Sequence, residues 1–127
     1  MPAGDRGARF GIRVGIRAMS AEVVVVLCAC PDEPTGARIA RTLVDERLAA
    51  CVSRVGGVRS VYRWQEAVQD EPETLLIIKS SRDRYKELEM RLKALHPYEL
   101  PEIIALPVTI GLSACLDWIA SETHAKA

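Results

Sequence analysis

The sequence is short of the features that mark several large function classes. It has no excess charge, since 17 Lys and Arg are matched by 17 Asp and Glu. That balance provides neither the basic face that nucleic acid demands nor a patch for an anionic membrane. No apolar run approaches the roughly 18 residues of a membrane span. The longest, Val23 to Cys30, has the length of a buried strand. A secretory signal would need an apolar centre near the start, and none is present. Histidine is scarce, only His96 and His124, so one chain cannot assemble a His-rich catalytic zinc site. There is no Ser-His-Asp order, no Gly-rich phosphate loop and no HExxH. The cysteines are Cys28, Cys30, Cys51 and Cys115, too few for a dense disulfide framework. All lie in apolar stretches and read as reduced, buried thiols of a cytoplasmic protein.

What is present is one domain. The 127 residues are 49% apolar, enough for a single core. The first twenty residues differ from the rest. They hold Arg6, Arg9, Arg13 and Arg17 against Asp5, with Gly4, Gly7, Gly11 and Gly15 between them. No core pattern appears there, so residues 1–20 read as a disordered leader. Residues 21–121 read as the domain and 122–127 as a tail, with His124 solvated.

The domain's pattern is strand, helix, strand, strand, helix, strand, helix. Val23 to Cys30 is a continuous apolar strand. Asp32 is placed to cap the next helix, with Glu33 and Pro34 suited to its first turn. Ile39, Ala40, Leu43 and Val44 follow at helical spacing, and that helix is expected to end near Leu48. Cys51 to Gln65 reads as a second strand, with a bulge at Gly56-Gly57. Gln69 to Pro72 reads as a turn and Thr74 to Ser80 as a third strand. Ser80 and Asp83 have capping-box spacing. Tyr85, Leu88, Leu92 and Leu95 form a helical stripe that His96-Pro97 ends. Glu102 to Val108 reads as the fourth strand and Ser113 to Ser121 as a final helix.

The order βαββαβ plus a helix predicts an α+β, ferredoxin-like two-layer sandwich with a C-terminal helix. Strands VVVVLCAC, LLII and IIALPV are apolar on both faces, whereas a free two-layer monomer should alternate. Another subunit is the simplest cover for the second face. The second strand agrees by its length. Extended, it reaches about 50 Å at about 3.3 Å per residue, against a radius of gyration of about 13 Å for such a domain. It must bend or project. Val58, Ser60, Tyr62 and Trp64 share one of its faces. They read as interface packing or as the wall of a cleft between subunits.

The motifs CACPDE (Cys28–Glu33), ERLAACV (Glu46–Val52), SVYRW (Ser60–Trp64), LLIIKS (Leu75–Ser80), HPYELPEIIALPV (His96–Val108) and CLDWI (Cys115–Ile119) occur in order. Together they make the chain resemble the CutA family, the divalent-cation tolerance proteins. The resemblance implies a ferredoxin-like fold, a tight and thermostable homotrimer, and a role in tolerance of copper and other divalent metals. No organic cofactor is expected, and no partner beyond metal ions and the chain itself. The resemblance also implies a metal site at Cys28 and His96. In some members a second histidine precedes the His-Pro, where this chain has Leu95.

Read from the residues alone, Cys28 and Cys30 point to one face of their strand. With Cα atoms about 7 Å apart they stand at the limit for a disulfide. Cys30 is thus a weaker third ligand. Thiolates so placed suit copper best, with zinc as the next choice. The alternative for His96 is to bond the last carbonyls of its helix. Tyr62, Trp64, Lys79, Tyr98 and Glu99 are candidates for an intersubunit pocket, Lys79 needing Glu99 or Glu102 as its partner. The same cluster with His96 could serve acid–base chemistry, although no catalytic motif marks the chain as an enzyme. A further alternative is a trimeric small-molecule sensor like the PII signal proteins. Against it stands the short turn expected at Ala67 to Pro72, where those proteins have a long loop.

Overall fold

A computed structural model describes residues 22–124. The expected leader, residues 1–20, lies outside them. The strands are β1 (Val23–Cys30), β2 (Cys51–Trp64), β3 (Ala67–Ser81) and β4 (Ile104–Pro107). The helices are α1 (Glu33–Asp45), α2 (Tyr85–Leu95) and α3 (Ser113–Glu122). The strands form one antiparallel sheet in the order β2-β3-β1-β4, the order that the split βαβ arrangement requires.

Strand β1 is central. It pairs with β3 from Val23↔Ser81 to Cys30↔Thr74 on one edge. On the other edge it pairs with β4 from Val24↔Pro107 to Leu27↔Ile104. Alternation sends Val24, Val26, Cys28 and Cys30 toward the helices, where they join Leu76, Ile78, Ile39, Leu43, Leu88 and Leu92 in the main core. The other face carries Val25, Leu27, Leu75, Ile77, Ile104 and Leu106, most of them partly or largely exposed. Its end at Val23 is covered by Ile119 of α3.

Local chemistry explains the element ends. The Thr35 N–H donates to the Asp32 carboxylate at 2.9 Å, the N-cap bond that a helix start needs. The helix that follows stops at Asp45 rather than near Leu48, because Arg47 takes φ 59° and the chain turns back. Val44 stays 39% exposed, so the buried stripe is Ile39, Ala40 and Leu43. The capping box at Ser80 does not form. The Ser80 hydroxyl instead donates to the Leu48 carbonyl at 2.6 Å, and α2 is entered through a 3₁₀ turn at Arg82–Arg84. Strand β4 is shorter than its apolar run, and residues 122–124 of the expected tail are not free. Thr123 is fully buried, with its Oγ1 3.0 Å from Ser81 Oγ.

The largest correction concerns the hairpin. No turn occupies Gln69 to Pro72. Trp64 pairs with Ala67, and the two-residue loop is Gln65-Glu66, both with positive φ (51° and 66°). That is the backbone a tight hairpin prefers. Neither residue is the Gly or Asn that would advertise it, so the sequence pattern pointed further along the chain. The bulge falls where expected: the β2–β3 register shifts between Val55 and Val58, with Gly57 at φ 73°. Strand β1 reaches only Thr74 to Ser81 of β3. Ala67 to Glu73 therefore pair with β2 alone, and the hairpin projects beyond the sheet.

Ile78 is completely buried in the core between the helices and the sheet. Ile78→Ala is expected to cost about 2–5 kcal/mol, read as a lowered denaturant midpoint with an unchanged slope.

Candidate functional site

Two features of β1 build the first site. Cys28 and Cys30 face the core, each with no exposed surface. His96 follows the last residue of α2, where Pro97 forces it into an extended conformation (ψ 136°). Its ring turns under β1, and Nε2 lies 2.8 Å from the Ala29 carbonyl oxygen. That carbonyl is available because the β4 ladder ends at Leu27↔Ile104, two residues short of Ala29. The imidazole thus replaces a missing strand neighbour, rather than bonding the last carbonyls of its own helix. The Tyr98 N–H donates to Nδ1 at 3.1 Å, so the neutral ring carries its proton on Nε2.

This brings Cys28, Cys30 and His96 together, their ligand atoms within 4.8 Å of one another. Bonds of about 2.3 Å to sulfur and 2.0–2.1 Å to nitrogen put tetrahedral donors roughly 3.5–3.8 Å apart. The group as it stands is wider than that range by up to about 1 Å. Two sulfurs and an imidazole are donors for a soft or borderline ion, so the donor set fits a metal of that class. The two thiols are not equivalent. The hydrogen bond to Cys30, followed by burial, pushes the Cys28 thiol far up. Cys30 is lowered to about 6 by its bond with Cys28, burial opposing and His96 assisting. Burial works against a charged His96, but Cys30 and the Ala29 carbonyl more than offset it and leave its pKa raised.

The second site is a cavity of about 830 Å³ between the projecting hairpin and residues 98–104. Tyr62, Trp64, Tyr98 and Glu99 all line it. Lys79 does not. It pairs with Val25 and Cys51 toward the opposite end of the sheet, and its ammonium lies 3.2 Å from Ser53 Oγ. The corrected hairpin register explains this, since it places Tyr62 opposite Gln69 and far from Lys79. Sequence reasoning missed Glu73, which lies in the wall with Glu102. Glu73 is only 8% exposed, and its carboxylate accepts from the Tyr98 hydroxyl at 2.7 Å. Burial first, and Glu73 next, hold the Tyr98 pKa above its ordinary value. The Tyr62 hydroxyl likewise donates to Glu71, which raises its own pKa. Centring the turn on Gln65-Glu66 would have placed Glu71 and Glu73 on the face of Tyr62 and Trp64.

Residues 24–122 match the model of the CutA1 divalent ion tolerance protein family. The chain belongs to that family. It is 48% identical over 99 residues to the divalent-cation tolerance protein CutA of Thermus thermophilus, an alignment that covers 78% of this chain and 96% of that one. The solved Cut A1 structure from the same organism superposes with a TM-score of 0.79 at 46% identity, covering 80% and 99% of the two chains. A chloroplastic CutA from Arabidopsis thaliana is 41% identical over 101 residues, 80% of this chain and 56% of that protein. The structure titled PII-like protein CutA from Nostoc sp. PCC 7120 gives a TM-score of 0.76 at 37% identity, covering 81% and 99%.

The split between the two core thiols is measurable. Thiolate absorbance near 240 nm in the folded protein is expected to rise with a midpoint about pH 6, and Cys30→Ser should abolish that step. Between about pH 6 and Cys30's ordinary value of 9.0, the unfolded chain keeps a proton that the folded one has released. The Cys30 contribution to stability therefore grows with pH across that window and is lost as pH falls through 6.

Proposed function

We propose that this chain is a homotrimer serving tolerance of divalent and soft metal ions, with copper, or else zinc, bound by Cys28, Cys30 and His96. The observation that carries the reading is the convergence of two sulfurs and a ring nitrogen within 4.8 Å. The family description, divalent ion tolerance, supports the role. Thiolate and imidazole favour copper and zinc over magnesium and calcium, which prefer oxygen. Binding requires deprotonated sulfur and a neutral imidazole, so affinity falls as pH falls. The reading needs neither organic cofactor nor catalysis. Within one subunit Lys79 is too remote from Tyr98 and Glu99 to complete an acid–base cluster.

The trimer is supported by the second sheet face. Val25, Leu27, Leu75, Ile77, Ile104 and Leu106 make one apolar surface that α3 covers only at its end, and such a surface seeks a neighbour. Unfolding coupled to dissociation would give high, concentration-dependent resistance to heat. We place the protein in the cytoplasm on the strength of its reduced, paired core thiols. The chloroplastic name of the Arabidopsis thaliana relative belongs to that protein. No helix of the described residues is long and apolar enough to cross a membrane.

A second reading, a small-molecule sensor, is favoured by the cavity of about 830 Å³ and by the PII-like title of a solved relative.

Calorimetric titration of the reduced protein with copper and zinc should give saturable binding. Cys28→Ser, Cys30→Ser and His96→Ala are each expected to weaken it at least tenfold, while magnesium gives no heat. Binding unchanged in all three variants would remove the site. Light scattering should return three times the monomer mass, and Ile77→Asp, which buries an unpaired charge in the proposed interface, should reduce it. A monomeric wild type would overturn the assembly.

A further inference from the structure

We propose that the cavity beside the hairpin binds an organic ammonium ion. The proposal deepens the sensor reading and rests on that reading alone; the thiol–imidazole group takes no part in it.

The wall of the cavity is made of two kinds of group. Tyr62 and Trp64 from β2 and Tyr98 beyond α2 contribute aromatic rings, and Glu73, Glu99 and Glu102 contribute carboxylates. Among the described residues Arg63 is the one basic member of the lining, so three negative groups stand against one positive. Those carboxylates make no ion pair among the described residues. Among the described residues the acidic partners in ion pairs are Asp45, Glu122, Glu33, Asp70, Glu22, Glu87 and Glu46. None belongs to the cavity. Glu73 is the telling member. It is over nine-tenths buried, yet the group that its carboxylate meets is the neutral Tyr98 hydroxyl. A carboxylate so far removed from water is costly unless a cation meets it.

The rings narrow the class of cation. An aromatic face attracts positive charge through its quadrupole, and aromatic walls beside a carboxylate are the chemistry that selects ammonium heads. A bare divalent ion would use the carboxylates and ignore the rings. The volume also points to an organic ligand, since about 830 Å³ falls within the roughly 300–1,000 Å³ typical of small-molecule sites. An anion would meet three like charges, and a neutral ligand would leave Glu73 without a cation. Tyr62 and Trp64 are each 38% exposed in the single chain, so both rings keep free surface on the cavity side.

The test uses the full chain at physiological salt. Calorimetry follows choline, a quaternary ammonium, and 1,4-diaminobutane, a primary one, so the arms separate the two kinds of head. The neutral isostere 3,3-dimethyl-1-butanol, the anion 3,3-dimethylbutyrate and calcium chloride complete the set. Trp118→Phe leaves Trp64 as the only tryptophan, and its emission reports occupancy of the cavity. At least one ammonium should bind saturably and shift that emission, with the neutral isostere at least tenfold weaker. Glu73→Gln and Trp64→Ala should each weaken binding tenfold or more. Glu99→Gln, a conservative change at the mouth, should weaken it several-fold with an unchanged melting temperature, which guards against a misfolded Glu73 variant. Equal or tighter binding of the neutral or anionic probe would overturn the ammonium assignment and leave the sensor reading standing. Calcium bound in place of the ammonium probes would overturn it too. Absence of binding by every probe, or a crystal structure with the cavity filled by a neighbouring subunit, would overturn both.

Discussion

The pairing of β1 on both edges is the constraint on which everything else rests. A strand in that position has no free backbone along most of its length, and its side chains are divided between two faces. Val24, Val26, Cys28 and Cys30 are committed to the helices, and Val25 and Leu27 to the opposite surface. The unequal reach of its two neighbours matters as much. Strand β3 follows β1 to Cys30, whereas β4 stops at Leu27. A buried carbonyl left without a ladder partner must be satisfied in another way. The His96 ring satisfies the one on Ala29, which brings an imidazole to two core thiols.

The same residues join the two candidate sites. His96 touches Ala29 on one side and the Tyr98 backbone on the other, and its ring lies 4.7 Å from the Tyr98 ring at a tilt of 50°. Tyr98 continues to Glu73, and both stand in the cavity wall with Ala29. A short chain of contacts therefore runs from the buried thiols to the carboxylates of the cavity. Each link is a hydrogen bond or ring contact between residues at the end of α2, on the central strand β1 and at the base of the hairpin.

The apolar second face gives this architecture its asymmetry. A monomer of this design buries one side of its sheet well and leaves the other to aliphatic side chains with only α3 at one end. The projecting β2–β3 hairpin adds more unburied surface, with Val61 and Val68 each more than 60% exposed. Within the single chain these apolar surfaces have no further cover among the described residues.

Much of this was written in local pattern. The run VVVVLCAC marked a strand that is apolar on both faces. Asp32 before Glu33-Pro34 could only open a helix, and Gly56-Gly57 marked the bulge. Cys28 and Cys30 had to share a face because strand side chains alternate. The resemblance to the CutA family paired Cys28 with His96. What failed were elements whose boundaries depend on distant contacts. Gln65 and Glu66 accept left-handed backbone only because the strands on either side hold them there. Ser80 abandons a cap to reach the carbonyl of Leu48, a residue 32 positions away. Lys79 was grouped with Tyr98 and Glu99 as an intersubunit cluster; within one chain, register places it toward the other end of the sheet. By itself the sequence determined the order of elements, the faces of the strands and the thiol pair, since these follow from periodicity and short-range sterics. Only the tertiary structure decided that His96 would turn to Ala29 and that Glu73 would be buried against Tyr98, because both depend on where a neighbouring strand stops.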